Sequence, residues 1–257
     1  MNKRSNLNLG YSNKKQIKKI TLSIIIPCFN EDSRIQNTLK EIDEYFFELN
    51  KTIEIILVDD GSVDNLTMVV ENLDINNIKV LRNDKNRGKG YSVCKGVSTA
   101  RGDFCLICDA DNSTPISEFK ILFDAIKNHD NSISIGSRYL PNSNVVIKQP
   151  FYRIFMGRIG NIAIEYILGL KLLDTQCGFK LFHTKNAKEI FKKVTINRFG
   201  YDFEMLFICK TLGIEVIELP VTWIDTKNSR LRPFRDSIRT FVELIEVKLN
   251  SSKGFYK

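Results

Sequence analysis

Three runs in this chain, LSIIIP at 22–27, IILV at 55–58 and CLIC at 105–108, are apolar without interruption or nearly so. A strand wetted on one face alternates polar and apolar residues, whereas a strand apolar throughout is covered on both faces. Helical patterns separate the runs. Ile35, Leu39, Ile42 and Phe46 form one stripe of a segment from about Ser33 to Leu49, and further helices are expected over Leu66–Leu73, Gly90–Ala100 and Ile116–Asn128. Short strands are expected at Ile78–Leu81 and in SISIGSR (132–138). Buried strands alternating with amphipathic helices predict an α/β fold with a mostly parallel sheet and helices on both faces. Ligands in such sheets bind beyond the carboxyl ends of the strands. Four of those ends carry polar groups here: Asn30-Glu31, Asp59-Asp60, Asp109 with Asp111, and Ser137-Arg138.

The formal charge of +8 is unevenly spread over the 257 residues. Residues 1–20 hold six Lys/Arg and no acid, residues 21–144 hold 13 basic against 19 acidic groups, and residues 226–257 hold eight basic against three. Basic ends on an acidic body do not make the basic, aromatic-laced main surface of a nucleic-acid binder. They suit an anionic membrane surface or a phosphorylated substrate. The first 20 residues read as a disordered tail. Six cysteines in a chain of this length make no disulfide framework. Cys105 and Cys108, three apart in a strand, are expected to point to opposite faces and complete no zinc site. His129 and His183 are isolated and read as surface or capping residues. No apolar stretch approaches the roughly 20 residues needed to span a bilayer.

The second half is less regular. Residues 150–170 read as a helix with Phe151, Phe155, Ile159, Ile162 and Tyr166 on one stripe, expected to pack on the domain. LLDTQCGFKLF reads as a loop and strand, FGYDFEMLFICKTLG as the opening of a helix, and IEVIELPVTW as a strand closed by Pro220 and Trp223. The end, Pro233 to Leu249, reads as a helix with Ile238, Phe241, Val242, Ile245 and Leu249 on one side.

Two acids at the end of a buried strand repel one another unless compensated. Asp109 and Asp111 therefore point to a divalent cation. Mg2+ and Mn2+ take oxygen ligands, commonly one or two carboxylates plus substrate phosphates, and offset charge developing on a departing diphosphate. NRGKG (86–90) brings glycines that let the chain pass close to a ligand and Lys89 as a cation. It is not a P-loop, because no Ser or Thr follows the Gly-Lys.

PCFNE, VDDGS, NRGKG, DAD and GSR, in this order and spacing, resemble the family 2 inverting glycosyltransferases of the GT-A fold over roughly residues 21–225. DADNSTP, GSR, DTQCGFKLF and VTWIDTKNSRLR are similar, more narrowly, to dolichyl-phosphate β-glucosyltransferases and dolichyl-phosphate mannose synthases. The resemblance implies a Rossmann-like nucleotide-binding half. It puts Pro27, Phe29, Glu31, Val58, Asp59 and Asp60 around the base and ribose, and Asp109, Ala110 and Asp111 at the metal and diphosphate, with Ser113 a further ligand. Arg138 would meet phosphate, and Lys227, Arg230 and Arg232 the acceptor or donor phosphates. Phe29 stands where the family usually has Tyr, and the hydrophobic membrane segments of the eukaryotic glucosyltransferases are absent. The chain divides into three regions: a basic tail (1–20), a GT-A domain (21–225), and a basic amphipathic segment facing acceptor and membrane (226–257).

The implied reaction is attack of a polyprenyl-phosphate oxygen on C1 of a nucleotide-activated sugar, with inversion and release of the nucleoside diphosphate. The resemblance favours UDP-glucose as donor; the basic amphipathic end and the lack of a spanning stretch lead to the expectation of an enzyme lying peripherally on the cytoplasmic face of a membrane. A phosphate monoester, with a second pKa of about 6, needs no general base at neutral pH. A sugar hydroxyl as acceptor would need one, and Asp202 or Glu204 in GYDFEM would supply it. Read instead as a D-x-D-x-[ST] phosphohydrolase motif, DADNS leaves PCFNE, VDDGS and GSR idle. A catalytically silent nucleotide-sugar scaffold would be expected to lose a metal carboxylate, and both are kept.

Overall fold

The computed structural model describes residues 21–49, 51–147, 151–225 and 233–256. Strand β1 (Leu22–Cys28) runs into helix α1 (Asp32–Glu48), β2 (Ile53–Asp59) into α2 (Leu66–Glu71), and β3 (Ile78–Arg82) into α3 (Lys89–Thr99). β4 (Phe104–Ile107) is followed by a 3-10 turn at Ile116–Glu118, α4 (Phe119–Ile126), β5 (Ser132–Ser137) and β6 (Asn144–Ile147). The second half supplies α5 (Phe151–Leu168), β7 (Lys180–His183), α6 (Thr184–Lys193) and α7 (Tyr201–Leu212). It ends with β8 (Glu215–Pro220), β9 (Thr222–Ile224) and α8 (Pro233–Ser252).

Seven strands form one sheet in the order β3-β2-β1-β4-β7-β5-β8, and β6 and β9 form a second, two-stranded sheet. All pairs in the large sheet are parallel except those made by β7, which runs antiparallel to both β4 and β5. The mixed, mostly parallel sheet expected from the apolar runs is thus present. Ile24, Ile25, Ile26, Ile55, Ile56 and Leu57 are completely buried. Two cores cover its faces. One joins α1, α2 and α4 to the sheet through residues such as Ile35, Leu66 and Leu122. The other draws Val93, Ile190, Leu206 and Val247 from α3, α6, α7 and α8. Cys105 sits in the second core and Cys108 in the first, on opposite faces.

Several expectations are corrected. IEVIELPVTW is two strands, not one. Proline cannot donate to a ladder, so β8 stops at Pro220 and Thr222–Ile224 pairs with β6 instead. The segment after Pro115 begins as a 3-10 turn before becoming α4. Helix α6 and strand β6 had no counterpart in the sequence reading. The largest difference concerns α5. Phe155, Ile159, Ile162 and Tyr166 face solvent, Tyr166 at 90% exposure, while the helix docks through Ile164 and Leu168. The outward stripe of α8, with Ile238, Phe241, Val242, Ile245 and Leu249, is exposed too, and the two helices pack on one another. The tail and residues 226–232 lie outside the described residues. Among those described, no helix is long and apolar enough to cross a membrane.

Candidate functional site

The turns after β1 and β2 hold each other. Asp60 donates its amide to the Cys28 carbonyl at 2.8 Å, Asn30 donates its amide to Ser62 Oγ at 2.9 Å, and Val63 donates to Asn30 Oδ1 at 2.8 Å. Asn30 has φ of 55°, and Asn112, in the turn after β4, has 53°. Left-handed backbone is costly for most L-residues and tolerated by Asn, so both turns of the ligand edge use a residue suited to them. Phe29 is 37% exposed on this edge. Glu31 is gripped by Arg34, whose Nε and Nη2 each donate to it at 2.7 Å. Arg34 Nη1 also lies 3.7 Å from Asp111 Oδ2. Arg34 therefore links PCFNE to DAD. It escaped the sequence reading because it lies inside α1 rather than at a strand end.

The acids of VDDGS point into the protein. Asp59 is fully buried. Its Oδ1 accepts the Ser62 amide at 2.8 Å and its Oδ2 lies 3.1 Å from Arg82 Nη1. Asp60 is 3% exposed and accepts from Asn83 Nδ2, the Arg87 amide and the Gly88 amide, each at 2.8 Å. Its carboxylate fixes NRGKG against the sheet. Val58 is also buried, its side chain in the core beside α3. These three residues, expected around the base and ribose, thus have side chains engaged within the protein, which leaves Val58 only its main chain on the ligand side. Beside them Arg82, Arg87, Tyr91 and Lys95 line a polar hollow, with the Arg87 guanidinium 4.1 Å from the Tyr91 ring centroid.

At the end of β4 the carboxylates stay accessible, the side chains of Asp109 and Asp111 being 37% and 25% exposed. Helix α1 holds their turn: Thr38 Oγ1 donates to the Ala110 carbonyl at 2.8 Å, and Asn112 donates to Glu41. Ser113 is buried. Its amide donates to Asp111 Oδ1 at 3.0 Å, and its carbonyl accepts the Ile224 amide at 2.8 Å. NRGKG meets DAD through Lys89, whose Nζ lies 2.5 Å from Asp109 Oδ1. Burial favours neutral Asp109, but Lys89, backed by Lys180 and Arg138, outweighs it and holds the carboxyl below its ordinary value. Burial also opposes charge on Lys89, yet Asp109, Tyr201 and Asp202 keep the ammonium well above its usual pKa.

The second half closes the site because β7 is reversed. Its first residue, Lys180, pairs in register with Ile107 at the end of β4, so the DTQCG loop arrives at the ligand edge. Asp174 fixes Arg138 by accepting from its Nε at 2.7 Å, its Nη2 at 2.8 Å and its amide at 3.0 Å. The Arg138 guanidinium lies 5.5 Å from the Trp223 ring. Gly178 lies directly against Asp109. Lys180, fully buried, pairs with Asp202 at 2.5 Å and donates to the Cys177 carbonyl. Glu204 has no exposed surface and accepts from Thr195 Oγ1, Tyr256 OH and the amides of Thr195 and Ile196. The structure thus brings Asp109, Asp111, Lys89 and Arg138 into one electrostatic neighbourhood. Lys227, Arg230 and Arg232 lie outside the described residues. Asp174, Gly178 and Lys180 were the functional neighbours missed. Their signal was the motif DTQCGFKLF, which the resemblance marks without giving its residues a role.

The donor set suits a hard cation. Asp109 and Asp111 offer carboxylate oxygen on an accessible edge, and the seat beneath Asp109 admits no side chain. Among the described residues no group of three His, Cys, Asp or Glu is placed to hold a metal. Two carboxylates with substrate phosphates completing the sphere is the arrangement Mg2+ accepts.

The family described as glycosyl transferase family 2 matches residues 23–191. The chain belongs to that family. Within the family, a dolichyl-phosphate β-glucosyltransferase of Dictyostelium discoideum is 34% identical, over 95% of this chain and 79% of its own length. One from Saccharomyces cerevisiae is 30% identical, over 93% and 78%. A solved glucosyl-3-phosphoglycerate synthase from Mycobacterium tuberculosis, in complex with Mn2+ and UDP-glucose, superposes with a TM-score of 0.64 at 14% identity, over 89% of this chain and 79% of that one. The fold is therefore GT-A, and this member of glycosyl transferase family 2 is a glycosyltransferase.

Proposed function

We propose that the enzyme transfers glucose, with inversion, from UDP-glucose to a polyprenyl phosphate of the dolichyl type. One observation carries the choice of acceptor: neither carboxylate of GYDFEM is placed to take a proton. Glu204 is enclosed by its donors, and Asp202, 3% exposed, faces the Lys180 ammonium. A hydroxyl acceptor requires a base, whereas a phosphate monoester with a second pKa of about 6 arrives ionised. The names of the relatives in Dictyostelium and yeast support the same acceptor and sugar.

In this reading Phe29 and Pro27 face the base, and Asp59 and Asp60 act by setting the turns that receive the nucleoside. Asp109 and Asp111 hold Mg2+ or Mn2+, with Ala110 between them and Ser113 beneath. That cation would offset negative charge gathering on the departing diphosphate. Lys89, at the first turn of α3, neutralises Asp109 before the donor enters and is within reach of the diphosphate afterwards. Arg138, oriented by Asp174, binds phosphate with the N–H groups that the carboxylate leaves over. Guanidinium suits that task because its fork matches phosphate oxygens. Lys227, Arg230 and Arg232 complete the acceptor's cationic surroundings.

The acceptor is a lipid, and the two helices that carry the exposed apolar stripes, α5 and α8, pack on one another. Arg158, Arg235, Lys248 and Lys253 are exposed on the same two helices or just beyond them. Apolar burial and attraction to anionic headgroups together hold such helices at a bilayer surface. Six free cysteines fit a reducing compartment, so the enzyme lies at the cytoplasmic face. Purified protein incubated with Mg2+ or Mn2+, a panel of nucleotide sugars and a polyprenyl phosphate should yield a β-glucosyl lipid from UDP-glucose. Transfer to sugar hydroxyls with no glycolipid would overturn the proposal.

A further inference from the structure

Helix α8 carries two apolar faces. Leu244 and Val247 are buried in the core, whereas Phe241, Val242 and Ile245 are exposed, so one side of the helix meets the core and the next meets solvent. Beside the buried residues stands an acid, Glu243, 7% exposed. Its Oε2 accepts the Gly200 amide at 2.8 Å, and its Oε1 lies 3.4 Å from Arg239 Nε. Gly200 is the residue before α7, whose first amides otherwise lack partners within the helix. The contact is close: a β-carbon on Gly200 would stand 2.7 Å from Glu243 Oε2, 2.8 Å from Phe203 Cζ and 2.9 Å from Glu243 Cβ.

Tyr201 and Asp202, next in the chain, belong to the site. The Tyr201 ring centroid lies 6.0 Å from Lys89 Nζ, and Asp202 holds Lys180. Just before Gly200, the Asn197 carbonyl accepts the Tyr91 amide at 3.0 Å and so fixes the first turn of α3, which carries Lys89. One turn along α7, Glu204 accepts from Tyr256, beyond the end of α8. The last helix and the residues that follow it therefore grip α7 at two points, and the nearer one is a single residue from Tyr201, whose ring lies beside Lys89.

We propose that Glu243 is a positioning residue for sugar transfer. By holding the start of α7 it fixes Lys89 and the Asp202–Lys180 pair beneath the donor diphosphate, and it ties the outward face of α8 to the transfer step. This last link rests on the lipid-acceptor reading; the positioning role does not.

The test uses the full chain with UDP-glucose and a polyprenyl phosphate in vesicles containing anionic lipid. Glu243→Ala should lower kcat at least about tenfold, since small misplacements of charged groups are costly, with KM for UDP-glucose within about threefold, the split of a transition-state effect. Glu243→Gln keeps an oxygen that accepts the Gly200 amide and should recover kcat to within about threefold of wild type. Gly200→Ala attacks the same contact from the other side and should reproduce the kcat loss. Co-sedimentation with the vesicles should be unchanged in all three. Normal kcat in Glu243→Ala, or Glu243→Gln as slow as Glu243→Ala, overturns the inference. So does a loss in Glu243→Ala and Gly200→Ala that disappears when rates are corrected for the folded fraction. Hydrolysis of UDP-glucose without acceptor, measured in parallel, should fall by the same factor in Glu243→Ala. If wild type makes no glycolipid the acceptor assignment fails, and this hydrolysis ratio alone then decides the role of Glu243.

Discussion

A β-carbon on Gly178 would overlap Asp109 Oδ2 and stand 2.5 Å from its Cγ. The Asp109 carboxylate thus occupies the space a side chain at 178 would need. Gly178→Ala should push it out of place and weaken Mn2+-dependent UDP binding by about 10- to 100-fold, the usual cost of disturbing a group that orients a metal ligand. UDP binding in chelator should change little. Calorimetric titration with and without Mn2+ checks this, and wild-type Mn2+-dependent affinity in the variant would remove Asp109 from the metal. Asp111→Asn should lose divalent-dependent activity in the same assay series, because an amide brings no charge to offset the cation.

Arg138 and Asp174 form a two-pronged pair. Arg138→Ala should lower kcat by about 100-fold or more, as loss of a preorganised donor does. Arg138→Lys should recover little, since a point charge does not reproduce the fork. Asp174→Asn keeps the guanidinium but loosens its aim, so its kcat should fall between wild type and Arg138→Ala. Steady-state kinetics in both substrates decide the order.

Asp202 and Glu204 should behave as structural acids. Asp202→Asn leaves the buried Lys180 ammonium without its counter-charge, a loss of about 3–5 kcal/mol for a broken buried pair. In a chain of this size that lowers Tm by about 10 °C. Glu204→Gln removes the charge that gathers four donors and can turn its NH2 toward the backbone amides of Thr195 and Ile196, which can only donate, so it should lower Tm comparably. Calorimetry with activity measured well below the melt separates the possibilities. A fall of several orders of magnitude in kcat with normal Tm and normal UDP binding would instead make that carboxylate the base for a hydroxyl acceptor.

Acid should weaken the fold through Asp174 and Glu54. Burial alone would raise both, but Arg138 lowers Asp174, and Ser23 and Arg101 lower Glu54. A depressed folded pKa means that the unfolded chain takes up protons first. The stabilisation is therefore complete above the ordinary carboxyl values near about 4 and is lost as pH falls through the folded ones. Denaturant melts from pH 6 down to pH 2 should show stability declining below about pH 4, and Glu54→Gln should flatten part of that decline. A profile unchanged by that substitution would exclude Glu54 as a contributor.

The strand ends were legible because uninterrupted apolar runs must be buried and a parallel sheet gathers their carboxyl ends. That logic located Asp59, Asp60, Asp109 and Arg138 without coordinates. It could not tell which acids face inward. Asp59 and Asp60 carry the same charge as Asp109, and only the amide of Ser62 on Asp59 Oδ1 and those of Arg87 and Gly88 on Asp60 show that these side chains are turned into the protein. β7 was legible as a strand at the end of DTQCGFKLF, but its direction was not, since the reversal depends on which strands it joins. With it went the pairing of Asp174 with Arg138 and of Gly178 with Asp109. The outward stripe of α5 was visible as a stripe. Its direction was not, because a helix with apolar residues around much of its surface does not declare which side is inside.

The reversed strand also bears on how the chain reaches this structure. β7 lies between β4 and β5, yet comes after both in sequence. While synthesis proceeds, β4 and β5 each present an open ladder edge, and neither can be covered until residues 180–183 have emerged. Unpaired edges of buried strands invite association with other chains. A ribosome-bound product ending before Lys180 would leave the facing edges of β4 and β5 open, whereas one ending beyond His183 could close these two and leave the far edge of β5 to wait for β8. The joining of the two parts of the sheet in the nascent chain is thus set by four residues late in the message, the same four that deliver Lys180 to Asp202.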